Sequence, residues 1–144
     1  MTTVALLIAA LLPGQPAPKD KPADDAARLR GTWAVTASTF DGKPAAADVI
    51  KSRKMIFRAD ELIAVIGGAR KEPLKVVLDA GKKPKHIDLA RPGGRSTARG
   101  IYTLDGDELK LCYAEPGRDR PTEFTSPEGK RLYLLVLKRE KESP

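Results

Sequence analysis

The side chains of this sequence that could do chemistry are few, and they start with one histidine and one cysteine. His86 and Asp88 are two residues apart, so on a strand they share a face, and the carboxylate could orient the imidazole. No serine or cysteine stands in a nucleophile setting such as Gly-x-Ser-x-Gly, so a hydrolytic triad has no third member. Zinc wants three or four His, Cys or carboxylate ligands, and one histidine with a distant Cys112 falls short; no metal site is expected. Asp105, Asp107 and Glu108 bunch together, but a calcium loop needs further oxygens at fixed positions, and they read better as hairpin residues. Gly93-Gly94-Arg95-Ser96 carries glycines and a base without the strand–turn–helix setting of a phosphate loop. Arg120 and Glu123 read as an exposed ion pair beside Pro121. Cys112 reads as a small buried hydrophobe, the usual state of a free thiol. The expectation is a protein that is not an enzyme and has no cofactor.

The chain that must position these residues has 144 residues, room for one domain. Hydrophobic residues make up 41% and aromatics 5%, so its core is mainly Leu, Ile and Val. The net charge is +7, from 26 basic and 19 acidic side chains. Basic residues are scattered, as at Arg53–Lys54, Arg70–Lys71, Lys82–Lys83, Arg91, Arg95, Arg118 and Arg120, with few aromatics beside them. A nucleic-acid site concentrates its bases and interleaves stacking rings, so no specific nucleic-acid partner is expected and these charges read as solvated surface.

Val4 to Leu12 is an unbroken apolar run, followed by a Pro/Lys/Asp-rich stretch. Its length suits a secretion signal and falls short of the ~20 residues that span a bilayer. Met1-Thr2-Thr3 lacks the basic residues usual before such a run, and Ala17 offers the best cleavage point. The expected organisation is a signal segment over 1–17, a linker over 18–23 and one domain over 24–141, in a periplasmic or secreted protein that does not span the membrane.

Asp24 to Gly31 predicts a short helix, with acids first, bases last and a glycine stop. From Trp33 the apolar spacing becomes two: Trp33, Val35 and Ala37 alternate with Thr32, Ala34, Thr36 and Ser38. Ala45 to Ser52 suggests one or two helical turns. Strands are then predicted at 54–58, 62–66, 74–78, 85–89, 100–104, 109–113 and 132–137, separated by turns rich in Gly, Pro and Asp. Asp105-Gly106-Asp107 is among the clearest hairpin signals. The last strand is apolar on both faces, a hazard on an open edge but suited to a closed sheet. About eight strands with short turns predict an all-β, antiparallel up-and-down barrel.

Residues 29–33 (Leu-Arg-Gly-Thr-Trp), 41–44 (Asp-Gly-Lys-Pro), 83–89 (Lys-Pro-Lys-His-Ile-Asp-Leu), 100–102 (Gly-Ile-Tyr), 105–112 (Asp-Gly-Asp-Glu-Leu-Lys-Leu-Cys), 120–124 (Arg-Pro-Thr-Glu-Phe) and 135–139 (Leu-Val-Leu-Lys-Arg) carry a resemblance. Gly31-Thr32-Trp33 resembles the Gly-x-Trp opening of lipocalins. The whole set, from about Leu29 to Glu140, closely resembles a family of small, uncharacterised lipocalin-like domains of planctomycete bacteria. The chain departs from longer relatives around Gly67 to Pro73, which unsettles the strand boundaries there. The resemblance implies that Trp33 plugs the closed end of the barrel under a basic side chain after the last strand, with Arg139 the nearest match and Lys138 the alternative. Burying that indole is worth about 4–6 kcal/mol as an upper figure, and a stacked guanidinium adds on the order of 0.5–2 kcal/mol.

Small barrels are either filled by their own side chains or hold one ligand, and the sequence leaves both open. The leading expectation is a lipocalin-like domain for a small apolar or amphipathic ligand, with walls assigned by strand parity to Val35, Phe57, Val76, Ile87, Leu109, Leu111 and Tyr113. The alternative is a solid-cored module whose basic loops, Arg118 and Arg120 among them, bind an envelope protein or polymer.

Overall fold

The structure, a computed structural model, describes residues 22–93 and 96–141. The expected signal segment, linker residues 18–21, and Gly94 and Arg95 of the Gly-Gly-Arg-Ser stretch lie outside them. The chain order is α1 (Pro22–Leu29), β1 (Gly31–Phe40), β2 (Lys43–Pro44), α2 (Ala47–Lys51), β3 (Arg53–Arg58), β4 (Glu61–Ile66), β5 (Ala69–Arg70), β6 (Leu74–Asp79), β7 (Lys85–Ala90), β8 (Thr97–Asp105), β9 (Glu108–Ala114) and β10 (Leu132–Arg139). Eight of the strands form a closed antiparallel barrel of lipocalin-like, up-and-down architecture. Neighbours in sequence pair in turn, and β10 returns to pair with β1 from Trp33↔Arg139 to Phe40↔Tyr133. The two-residue strands β2 and β5, which no sequence signal announced, lie outside the ring against β1 and β4.

Closure follows from the apolar pattern. Tyr133, Leu135 and Leu137 face the interior of β10, and a strand with this much apolar surface is protected by neighbours on both edges, β9 and β1. Inward rows of large side chains then fill one half of the barrel. Trp33, Tyr102, Leu109, Leu111 and Leu137 have no solvent exposure, and Phe57, Leu62, Ile87, Leu89 and Leu135 pack with them.

The expected parity of β1 needs one correction. Trp33 and Val35 are buried as the alternation predicts, but Ala37 is exposed and Ser38 is buried. A β-bulge between Val35 and Ala37 inserts Thr36 against β10, and one extra residue moves every later side chain to the opposite face. The Thr36 hydroxyl donates to the Val136 carbonyl (3.1 Å), holding the bulge. As a result Phe40 sits opposite Tyr133, and the two rings stack with centroids 4.2 Å apart.

The region from Gly67 to Pro73 resolves into a short hairpin. Val65 and Ile66 pair with Arg70 and Ala69 of β5, so β4 meets β6 at only Glu61↔Lys75 and Leu62↔Leu74. The other seams of the barrel hold four to seven register pairs each, which makes this one the thinnest.

The connection from residue 115 to 131 crosses the outside of the barrel as a strap. Arg120 Nη1 donates to the carbonyls of Gly100 (2.8 Å) and Ile87 (3.4 Å), and Cys112 Sγ donates to the Thr125 carbonyl (3.4 Å). Pro121 and Ser126 of the strap are buried, and so are the outward-facing Ile101 and Cys112 beneath it.

Candidate functional site

One end of the barrel is sealed. Helix α1 lies at this end: Leu29 is buried, and its carbonyl accepts a hydrogen bond from the Trp33 indole Nε1 (2.8 Å). The Arg139 guanidinium sits 4.3 Å from the centre of a Trp33 ring and donates to the carbonyls of Arg28 and Arg30. Those carbonyls end α1 and have no partner within the helix, so the arginine caps it while covering the indole. Its Nε also lies 3.3 Å from the Asp107 carboxylate, which ties one acid of the hairpin cluster to the plug. Gly31 makes the approach possible: its φ is +125°, and a Cβ there would stand 3.2 Å from Arg139 Nη1.

Behind this plug Asp25 is fully buried. Its Oδ2 accepts from the Tyr102 hydroxyl (2.6 Å) and from Lys85 Nζ (3.0 Å), and its Oδ1 lies 3.4 Å from Arg28 Nη1. The carboxylate thus fastens α1 to β7 and β8. Burial, followed by the bond to Asp25, pushes the Tyr102 phenol far above its ordinary range, so it acts as a permanent neutral donor.

The opposite end is open. A cavity of about 520 Å³ reaches from the mouth down to Val35, Leu89 and Leu135, with Met55, Ala64, Leu74 and Ala98 on its sides. That volume lies in the range of small-molecule pockets, which are mostly apolar with a few polar groups. The thin β4–β6 seam accounts for part of it, since Ala64, Val65, Ile66 and Leu74 all line the opening. Tyr113 and Tyr133 stand on the wall, stacked at 4.9 Å, so that Phe40, Tyr133 and Tyr113 form a continuous aromatic ladder. Gly100 opposite Tyr113 permits this placement. A Cβ at Gly100 would come within 2.7 Å of both the Cys112 carbonyl oxygen and Tyr113 Cβ.

The polar groups of the opening are Arg53, Lys54, Arg91, Ser96, Glu115 and the two tyrosines. Glu115 is engaged by Arg131, whose Nε and Nη2 donate to its two oxygens at 2.9 and 2.7 Å, and this pairing holds its carboxyl below the usual range. Asp41 Oδ1 accepts from the backbone N–H groups of Gly129 and Arg131 and is likewise lowered, so the end of the strap is pinned to the β1–β2 turn. Lys54 points outward to Glu140 (2.6 Å). Arg53 points the other way. It shares strand parity with Met55 and Phe57, and its Nε is buried with no hydrogen-bond partner among the described residues. The Tyr113 phenol beside it is raised by burial and remains a neutral donor.

Of the seven wall positions expected from parity, Val35 and Tyr113 line the cavity. Phe57, Ile87, Leu109 and Leu111 face inward but belong to the packed half, and Val76 packs against it. Parity separates inside from outside. It carries no information about how far along the barrel a residue sits, and that coordinate decides wall or core. Trp33 and Arg139 are at the sealed end, while Lys138 is exposed. Arg53 is a lining residue that charge-based reading placed on the surface; its signal in the sequence was parity with Phe57.

The remaining reactive groups lie away from the cavity. His86 and Asp88 do share a face, but it is the outer one, under the strap. Arg120 Nη1 stands 2.7 Å from Asp88 Oδ1, an ionic contact outside hydrogen-bonding angles, so Arg120 pairs with Asp88 and not with the expected Glu123. Partial burial, then Arg120, lowers the His86 pKa. Burial pushes the Cys112 thiol up, which makes it a poor nucleophile. No family model, curated protein or solved structure matches this chain.

Proposed function

We propose that this protein is a non-enzymatic binding domain that holds a small apolar or amphipathic molecule in the open half of its barrel. The observation that carries this reading is the apolar cavity of about 520 Å³, set against an opposite end sealed by α1, Trp33 and Arg139. Its titratable lining consists of arginines, a lysine, tyrosines and an ion-paired glutamate. The single histidine and the cysteine are on the outer face, which supports binding over catalysis.

The apolar run at Val4–Leu12 supports a periplasmic or secreted setting, and the resemblance to planctomycete lipocalin-like domains supports the same class of function. A barrel acting as an envelope-binding module through Arg118 and Arg120 has less support, since Arg120 is spent on holding the strap and Arg118 lies 3.9 Å from Glu115. The test is native mass spectrometry of protein purified gently from its own host, with titration of a fluorescent fatty-acid probe. A co-purifying small molecule or saturable probe uptake is expected. Repeated absence of both overturns the reading.

A further inference from the structure

Resting on that reading, we infer that the ligand is an aliphatic molecule with an anionic head, its tail in the barrel and its head at Arg53. A guanidinium is permanently charged, and an arginine nitrogen buried without a partner is costly unless something else meets it. Arg53 lines the cavity; among the described residues its Nε is unpartnered and closed to solvent, so the head of a ligand would meet the outer nitrogens of the guanidinium. Within the opening the charges do not cancel. Among the described residues Glu115 is the one acid on the lining, and Arg131 already takes both its oxygens. Among the described residues no carboxylate comes within ion-pair distance of Arg53 or of Arg91.

The neighbours of Arg53 favour an anion as well. Tyr113 and Tyr133 share the lining, and a phenol hydroxyl offers a donor to an oxyanion. Arg91, exposed at the rim, adds a second positive charge that attracts an anion to the entrance. Below these groups Val35, Leu89 and Leu135 offer no hydrogen bonds, so the tail must be apolar. At ~30 Å³ for each water-sized group the space takes about seventeen such groups. That is room for a medium-length alkyl chain together with its head group.

The experiment compares dodecanoate, dodecyl phosphate and dodecanol by calorimetric titration at neutral pH, on the wild type and on Arg53→Met and Arg53→Lys. The expected result is that at least one anion binds about tenfold or more tightly than the alcohol, as a charge-assisted hydrogen bond warrants. Which anion is favoured tells a carboxylate head from a phosphate head. Arg53→Met should erase the preference, read as the ratio of anion to dodecanol affinity within that variant. Arg53→Lys should retain part of it, and thermal melting checks that both variants fold. Equal affinity for anions and alcohol in the wild type overturns the anionic head and leaves the apolar cavity standing, as does a preference that survives Arg53→Met. Failure of all three probes to bind overturns the cavity reading and this inference together.

Discussion

At the α1 end of the barrel the buried polar groups answer one another. Asp25 meets Tyr102 and Lys85, the Trp33 indole meets the Leu29 carbonyl, and Arg139 meets the carbonyls of Arg28 and Arg30. At the other end the β4–β6 seam is thin, and among the described residues the Arg53 Nε is a buried nitrogen with no partner beside a cavity. Both ends are made by the same eight strands. What differs is the size of the inward side chains and the presence of a helix. Large residues and α1 complete the interior at one end; Ala64, Ala98 and the short β4–β6 contact leave it incomplete at the other. Tight packing is thereby concentrated in one half.

The sharpest way to break this comparison is at Trp33. Trp33→Ala should lower unfolding stability by about 3–5 kcal/mol, because the indole is fully buried and its removal opens a cavity that α1 cannot refill. Urea unfolding followed by far-ultraviolet circular dichroism measures it. A loss below about 1 kcal/mol would mean that the sealed end does not carry the fold. Next in size is Asp25→Ala, with an expected loss of about 3 kcal/mol in the same assay, at the low end for breaking a buried pair because Lys85 keeps some access to water. Asp25→Asn should recover part of it by accepting from Tyr102.

A smaller pair of substitutions tests the border between the halves. Gly100 and Ala98 are neighbours on the inward face of β8. Gly100→Ala should cost about 1–3 kcal/mol, since the new methyl would meet backbone at 2.7 Å. Ala98→Leu extends into open space and should cost less than about 1 kcal/mol while abolishing probe uptake. Equal penalties would show that the cavity collapses in solution. The smallest effect expected is at His86. Its folded pKa lies below 6.5, so below that pH the unfolded chain takes up a proton that the folded state resists. Its contribution to stability is therefore present above 6.5 and fades as pH falls through the folded pKa. His86→Gln should flatten the stability profile in that window, and unchanged curvature would remove the histidine from any account of the strap.

Much of the barrel was legible along the chain because strand parity and turn chemistry are local. Trp33 and Val35, the turn around Gly106, and the apolar last strand each report their state through near neighbours. The exceptions are instructive. Ala37 and Ser38 exchanged faces through a bulge held by a contact between Thr36 and Val136, which are 100 residues apart. Arg120 was expected beside Glu123 and instead reaches Asp88 on β7. For the site, parity placed all seven expected wall residues inward, but only Val35 and Tyr113 reach the cavity.

The sequence by itself determined that the chain alternates inside and outside, that it turns about every ten residues, and that its final strand needs cover on both sides. These are properties of a residue and its next few neighbours. Only the tertiary structure decided which end is sealed, how the β4–β6 seam thins, and that the inward-facing Arg53 sits at the depth of the cavity. Depth along a barrel is fixed by the stagger between strands distant in sequence, and no local pattern encodes that stagger.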